Sequence, residues 1–334
     1  MTPAIFGLAG PELTADERTF FADVKPAGYI LFGRNIVDRA QVRALTDSLR
    51  ALEGRDDVAI LIDQEGGRVA RMRPPEWPAF PAPGAFEALY DLAPISGIEA
   101  VRANARALGL MLSEVGINVD CLPLLDVRSA ETHDAIGDRA FGTDPLLVAA
   151  LGRAAIDGLR EGGVVGVVKH MPGQGRAAVD SHHHLPTVSA SAEDLARDLF
   201  PFQRLADAPM GMTGHIVFEA WDAERPATLS PTVIGDVIRG QIGFDGFLMS
   251  DDLDMKALSG SVATRAADCV AAGCDVALNC WGRMDEMVAI AAALPAMTTR
   301  GRERLDAAMA TAGAPEGDFA EAIAKRDALL AQVA

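Results

Sequence analysis

What this chain has little of narrows the possibilities early. Of 334 residues only four are cysteine, and no two of them stand in a C-x-x-C pair. At this length no disulfide framework is needed, and free thiols fit a reducing compartment. Aromatic residues make up 5% of the chain, and no Lys/Arg run offsets a formal net charge of −17. Such a surface repels phosphate backbones, so no nucleic-acid partner is expected. No apolar run reaches the length of a membrane span, so no membrane partner is expected. The opening "MTPAIFGLAG" lacks a basic n-region and runs straight into patterned sequence. No signal peptide is expected, and the expected location is the cytoplasm.

What is present is a large core. Hydrophobic residues reach 49% and charged residues 23%, ordinary for a globular chain. Eight short apolar runs read as strands: 4–9, 27–32, 58–62, 117–122, 163–168, 210–214, 246–250 and 275–279. Helical patterns lie between them. Asp38 caps an apolar stripe of Val42, Leu45, Leu49 and Leu52 that Gly54 ends. Thr143 with Pro145, Ser191, and Ser230 with Pro231 and a closing Gly240 mark three further helices. Strands alternating with helices predict an α/β fold with a parallel sheet, and this number of repeats suits a closed (β/α)₈ TIM barrel. An open doubly wound sheet is the rival, but "GLAGPEL" is a poor phosphate-binding turn. With no linker or composition break, residues 1–334 are expected to form a single catalytic domain. The proline-rich stretch 64–96 reads as a long ordered loop beside the site.

Reactive residues fall at the strand ends. Asp63, Lys169-His170, His215, Asp251-Asp252 and Asn279 each follow or end a strand, and in a barrel they converge on the C-terminal rim. Singly each has an ordinary use: Asp63 as a helix cap, His170 as a core histidine, Arg139 as a loop ion pair. Of Asp251 and Asp252, one is expected to serve the next helix N-terminus and the other to face the mouth.

"DSHHHLP" (180–186) concentrates half of the six histidines of the chain in three positions. If extended, it sets Asp180, His182 and His184 on one side. Asp180 beside an imidazole makes a general acid/base unit; the same residues also suit three metal ligands or a solvated polar loop.

"KHMPGQG" followed by "DSH", with "IDQEGGRV" upstream and "GFLMSDDLDM" downstream, resembles family 3 glycoside hydrolases. The likeness runs from about Gly28 to about Asn279 and lies nearest the single-barrel bacterial β-N-acetylglucosaminidases of peptidoglycan recycling. The resemblance implies Asp251 as nucleophile, His182 as acid/base and Asp180 as its partner. It implies sugar binding by Asp63, Arg71, Arg139, Lys169 and His170, and no role for His183 or His184. It implies a retaining hydrolase that removes terminal β-linked GlcNAc from peptidoglycan fragments (GlcNAc-anhydroMurNAc and its peptides) through a glycosyl-aspartate. The partner is then a small carbohydrate, a muropeptide or GlcNAc disaccharide, with no metal and no cofactor. Met171 and Gln174 depart from the family, which commonly has an aromatic residue and a histidine there. Gly173 and Gly175 would let the loop close over substrate. A phosphorylase or a β-glucosidase with the same site, a metal-dependent hydrolase and a non-catalytic sugar-binding barrel are the competing readings.

Overall fold

The computed structural model describes residues 1–181 and 183–333. Eight parallel strands close a barrel in chain order. They are β1 (Thr2–Gly7), β2 (Pro26–Leu31), β3 (Ala59–Ile62), β4 (Val119–Asp120), β5 (Val165–Met171), β6 (Met210–Thr213), β7 (Phe247–Asp252) and β8 (Val276–Asn279). The seam pairs Ala4 of β1 with Ala277 of β8 and Phe6 with Asn279. The eight expected runs are these strands, with shifted ends. Lys169 and His170 lie inside β5 rather than beyond it, and only Val119–Asp120 remains of the expected strand 117–122.

The closed sheet sorts side chains by alternation. Ile5, Ile30, Leu61, Val119, Val167, Met210, Phe247 and Val276 fill the barrel interior. Leu305, Ala308 and Met309 join this inner cluster from the helix Thr299–Met309, which plugs the end opposite the site. Ala4, Phe6, Tyr29, Ile60, Val168 and Leu248 face the other way and pack under the helices. With both faces covered, the strands carry few polar residues until their C-terminal ends.

The local signals account for most helix ends. Asp38 accepts from Gln41 N at 2.8 Å to start the helix Arg39–Glu53, and Gly54 ends it at φ 67°. Ser191 caps Ala192–Arg204 in the same way. Three expectations are corrected. Asp144, not Thr143, caps Pro145–Glu161: it stands next to the first helical residue and its carboxylate accepts from Leu146 N at 3.0 Å. The expected helix after Ser230 is a π-helix, Val233–Gln241. The stretch 64–96 is no single loop: it contains a 3₁₀ turn at Pro83–Phe86, the helix Glu87–Leu92 and the start of Pro94–Glu114. Among the described residues no helix is long and apolar enough to cross a membrane.

Candidate active site

A cavity of about 250 Å³ opens at the C-terminal end of the barrel. That is below the usual range for drug-sized ligands, so it suits one sugar ring rather than a chain. Asp63, Arg71, Arg139, Lys169, His170 and Asp251 all line it, six of the eight expected site residues. Asp180 is not among the lining residues, and His182 lies outside the described residues.

The inner wall is an alternating network of charge. Lys169 Nζ, on β5, donates to Asp63 Oδ1 at 3.1 Å and to Glu65 Oε1 at 2.7 Å. Arg71 Nη2 donates to the other oxygen of Asp63 at 3.1 Å. Arg139 grips Glu65 with two bonds of 2.8 Å, Nε to Oε2 and Nη2 to Oε1. Three cations thus face two carboxylates, leaving a local surplus of one positive charge. Such pairing is what lets charged groups stay charged out of water. Burial pushes the Glu65 carboxyl up, but Lys169 and Arg139 outweigh it and hold it at about 2. Asp63 is held well below the usual carboxylate range by Lys169 and Arg71, again against burial. Burial alone would lower the Lys169 ammonium; Glu65 and Asp63 raise it instead. Lys169 has three donor hydrogens, two of which these carboxylates use.

Glu65 was not among the expected site residues. Its position follows from the two glycines after it, at φ 94° for Gly66 and 56° for Gly67. A side chain at Gly66 would place Cβ 2.2 Å from the Pro81 carbonyl oxygen, so only glycine allows this turn. Gln64 ties the strand end to Arg71, accepting from Arg71 N at 2.8 Å.

Asp126 was also missed. It is fully buried after β4 and accepts from His170 Nδ1 at 2.8 Å, His170 N at 3.2 Å and Gln174 N at 2.7 Å. With Nδ1 bonded to the carboxylate, His170 presents Nε2 toward the cavity it lines. The one signal for Asp126 was an isolated acid inside the apolar run "LPLLDV".

Asp251 and Asp252 end β7, and both line the cavity. Asp252 Oδ1 accepts from Asp254 N and Cys280 N, each at 3.2 Å, and so holds the backbone beyond the strand. Burial pushes its carboxyl up to about 6. Asp251 accepts from Asp252 N at 2.8 Å and faces the mouth. His215, two residues beyond β6, braces this pair. Its Nε2 meets the Asp252 carbonyl at 3.0 Å, and since a carbonyl only accepts, that nitrogen carries the hydrogen. Nδ1 faces Thr228 Oγ1 at 2.8 Å, and burial lowers the ring's pKa.

The loop after β5 is rooted firmly. A Cβ on Gly175 would stand 1.8 Å from the Val127 carbonyl oxygen, so this glycine serves close packing rather than a hinge. Gln174 Nε2 donates to Ser181 Oγ at 3.1 Å, tying the loop's root to its far end. The extended arrangement considered for 180–184 is not what Asp180, His183 and His184 show; His182 lies outside the described residues. The Asp180 carbonyl accepts from His183 N at 3.0 Å and from His184 N at 2.9 Å, so the chain turns here. Turn formation by Asp and Ser wins over extension where no sheet partner is offered. His183 and His184 are exposed. Among the described residues no group of three His, Cys, Asp or Glu stands close enough to hold a metal ion.

Residues 6–311 match the glycosyl hydrolase family 3 N terminal domain. The chain belongs to glycosyl hydrolase family 3. It is 41% identical over 291 residues to a beta-hexosaminidase of Alkalilimnicola ehrlichii, across 83% of this chain and 80% of that one. A beta-hexosaminidase of Chromobacterium violaceum is 37% identical over 309 residues, across 91% of this chain and 85% of the relative. The fold matches that of NagZ from Neisseria gonorrhoeae in complex with N-trifluoroacetyl-D-glucosamine, with a TM-score of 0.86 and 30% identity. That match covers 99% of this chain and 96% of NagZ. This family 3 member is therefore a glycoside hydrolase built on a (β/α)₈ barrel.

Proposed function

We propose that this family 3 hydrolase is a retaining β-N-acetylglucosaminidase. Its substrates would be small fragments of peptidoglycan carrying a terminal β-linked GlcNAc, with GlcNAc-anhydroMurNAc and its peptides as the class. The observation that carries this reading is Asp251 at the end of β7, open to a one-ring cavity whose opposite wall is the Asp63–Lys169–Glu65–Arg139 network. The beta-hexosaminidase relatives support the sugar, and recycling of cell-wall fragments in the cytoplasm is the setting that fits it.

The proposed chemistry takes two steps. Asp251 attacks the anomeric carbon, the glycosidic bond breaks, and the leaving oxygen takes a proton from His182. A glycosyl-aspartate remains. The neutral His182 then takes a proton from water, which displaces Asp251 and releases the sugar with its configuration retained. Asp180 would orient the imidazole and favour its charged form for the first step. Lys169 and Arg139 offer donors to sugar hydroxyls, His170 Nε2 offers them a further hydrogen-bond partner, and Asp63 and Arg71 hold the far side of the ring. No step needs a metal or an organic cofactor.

The test is hydrolysis of a panel of nitrophenyl β-glycosides: N-acetylglucosaminide should be cleaved and glucoside poorly. Preference for the glucoside would overturn the reading. A sugar 1-phosphate formed in phosphate buffer would instead mark a phosphorylase, whose acid/base, being uncharged, repels phosphate less than a carboxylate would.

A further inference from the structure

We infer that Gln174 is a positioning residue for the acid/base: its side-chain amide holds Ser181, the residue bonded in the chain to both Asp180 and His182, and so fixes where the proton is delivered. The inference rests on the proposed reading of His182 as the acid/base.

The strut starts from the cavity wall. Asp126 accepts from Gln174 N at 2.7 Å through Oδ1, the same oxygen that accepts from His170 N at 3.2 Å. The root of the loop and a cavity-lining histidine thus share one buried carboxylate. The next residues are held from two sides. Ser129 Oγ donates to the Gly175 carbonyl at 3.3 Å, and His133 N donates to the Ala177 carbonyl at 3.0 Å. Arg176 Nε donates to Asp198 Oδ2 at 2.6 Å, on the helix Ala192–Arg204. From this fixed base Gln174 Nε2 reaches forward seven residues to Ser181 Oγ, at 3.1 Å. Both residues line the cavity, and they are 4% and 2% exposed. A bond so far out of water holds without competition from solvent.

Two properties of the amide suit it to placement rather than to stability. Its Oε1 is buried and has no partner among the described residues. A buried acceptor left unpaired costs stability, and an apolar side chain of the same length would avoid that cost. Packing therefore does not call for an amide here; what the amide adds is the bond to Ser181. The second property is neutrality. Neither an amide nor a hydroxyl titrates in the range where an imidazole does. His182 must donate a proton in one step and accept one in the next, so its mounting has to stay the same in both states. A strut of Gln and Ser meets that need, and a partner titrating near neutrality would not.

The experiment reads kcat/KM, which reports the bond-breaking step, on the GlcNAc-anhydroMurNAc disaccharide and on an activated nitrophenyl β-N-acetylglucosaminide. Gln174→Met removes the donor and keeps the length. It should lose about tenfold or more on the disaccharide, whose leaving oxygen needs the proton, and less than about twofold on the nitrophenyl glycoside. Its melting transition should stay close to wild type. Ser181→Ala should show the same bias. The double variant should lose no more than either single one, because both break one strut. Gln174→His, which brings in the residue common at this position of the family and with it a ring N–H, should keep most of the activity on the disaccharide. Equal losses on both substrates, no loss on either, or losses that add in the double variant would overturn the strut. Leaving-group bias in His182→Ala without bias in Gln174→Met and Ser181→Ala would overturn the strut alone. Absence of bias in His182→Ala itself would sink the acid/base reading and the strut with it.

Discussion

Glu65 Oε1 stands 2.7 Å from Lys169 Nζ, with the two side chains 0% and 2% exposed. Arg139 completes the cage around the carboxylate. Removing one member of such a group strands the others out of water, at a cost on the order of 3–5 kcal/mol.

The first prediction concerns pH. Glu65 falls from an ordinary 4.5 to about 2 on folding, so its contribution is complete above pH 4.5 and fades as pH drops toward 2. Lys169 is raised, so its share is complete below its ordinary 10.5 and is lost only above that. The stability gap between wild type and Glu65→Gln should be widest from pH 5 to 9 and narrow as pH falls to 3. Urea unfolding across that range measures it. A gap that does not change with pH would contradict the pairing.

Asp126 should matter through His170. Asp126→Ala strands His170 N, His170 Nδ1 and Gln174 N, and should destabilise the fold by about 2–4 kcal/mol. His170→Ala should be milder in stability yet raise KM, because the cavity loses a hydrogen-bond partner without backbone N–H groups being orphaned. Thermal melts and initial rates on both variants separate the two effects. Equal stability losses would mean that Asp126 acts only on the ring.

The histidine loop has a leaving-group signature. His182→Ala should lose on the order of 10²–10⁴-fold on a natural disaccharide and far less on an activated nitrophenyl glycoside. Asp180→Ala should act in the same direction, while His183→Ala and His184→Ala should change little. Equal losses on both substrates, or rescue by zinc, would remove proton transfer from His182.

The first-formed product should be the β-anomer. NMR at early times reads it directly, and an α-anomer would mean that water attacks the glycoside without a covalent step.

The barrel was legible because each strand is a short apolar run closed by polar residues, and the caps at Asp38 and Ser191 obey local rules. Lys169 and His170 could be picked out for the same reason: charge at the end of an apolar strand is costly unless paired. Glu65 was passed over because its partners, Arg139 and Lys169, lie 74 and 104 residues away, and nothing local announces them. Asp126 escaped because it follows a strand of only two residues and looks like an interruption of a core run. The turn at Asp180 contradicts the extended reading, since Asp-Ser chemistry favours a turn where no neighbouring strand competes.

The central proposal is that Asp251 becomes covalently bonded to the sugar, and trapping that bond tests it most directly. A 5-fluoro β-N-acetylglucosaminyl fluoride should form the glycosyl-enzyme and slow its hydrolysis, so that peptide mass mapping finds one sugar on the segment containing Asp251. Asp251→Ala should take up no label, keep a melting transition close to wild type, and lose turnover on the order of 10⁴-fold. Label on Asp252, or near-normal turnover by Asp251→Ala, would contradict the proposed role.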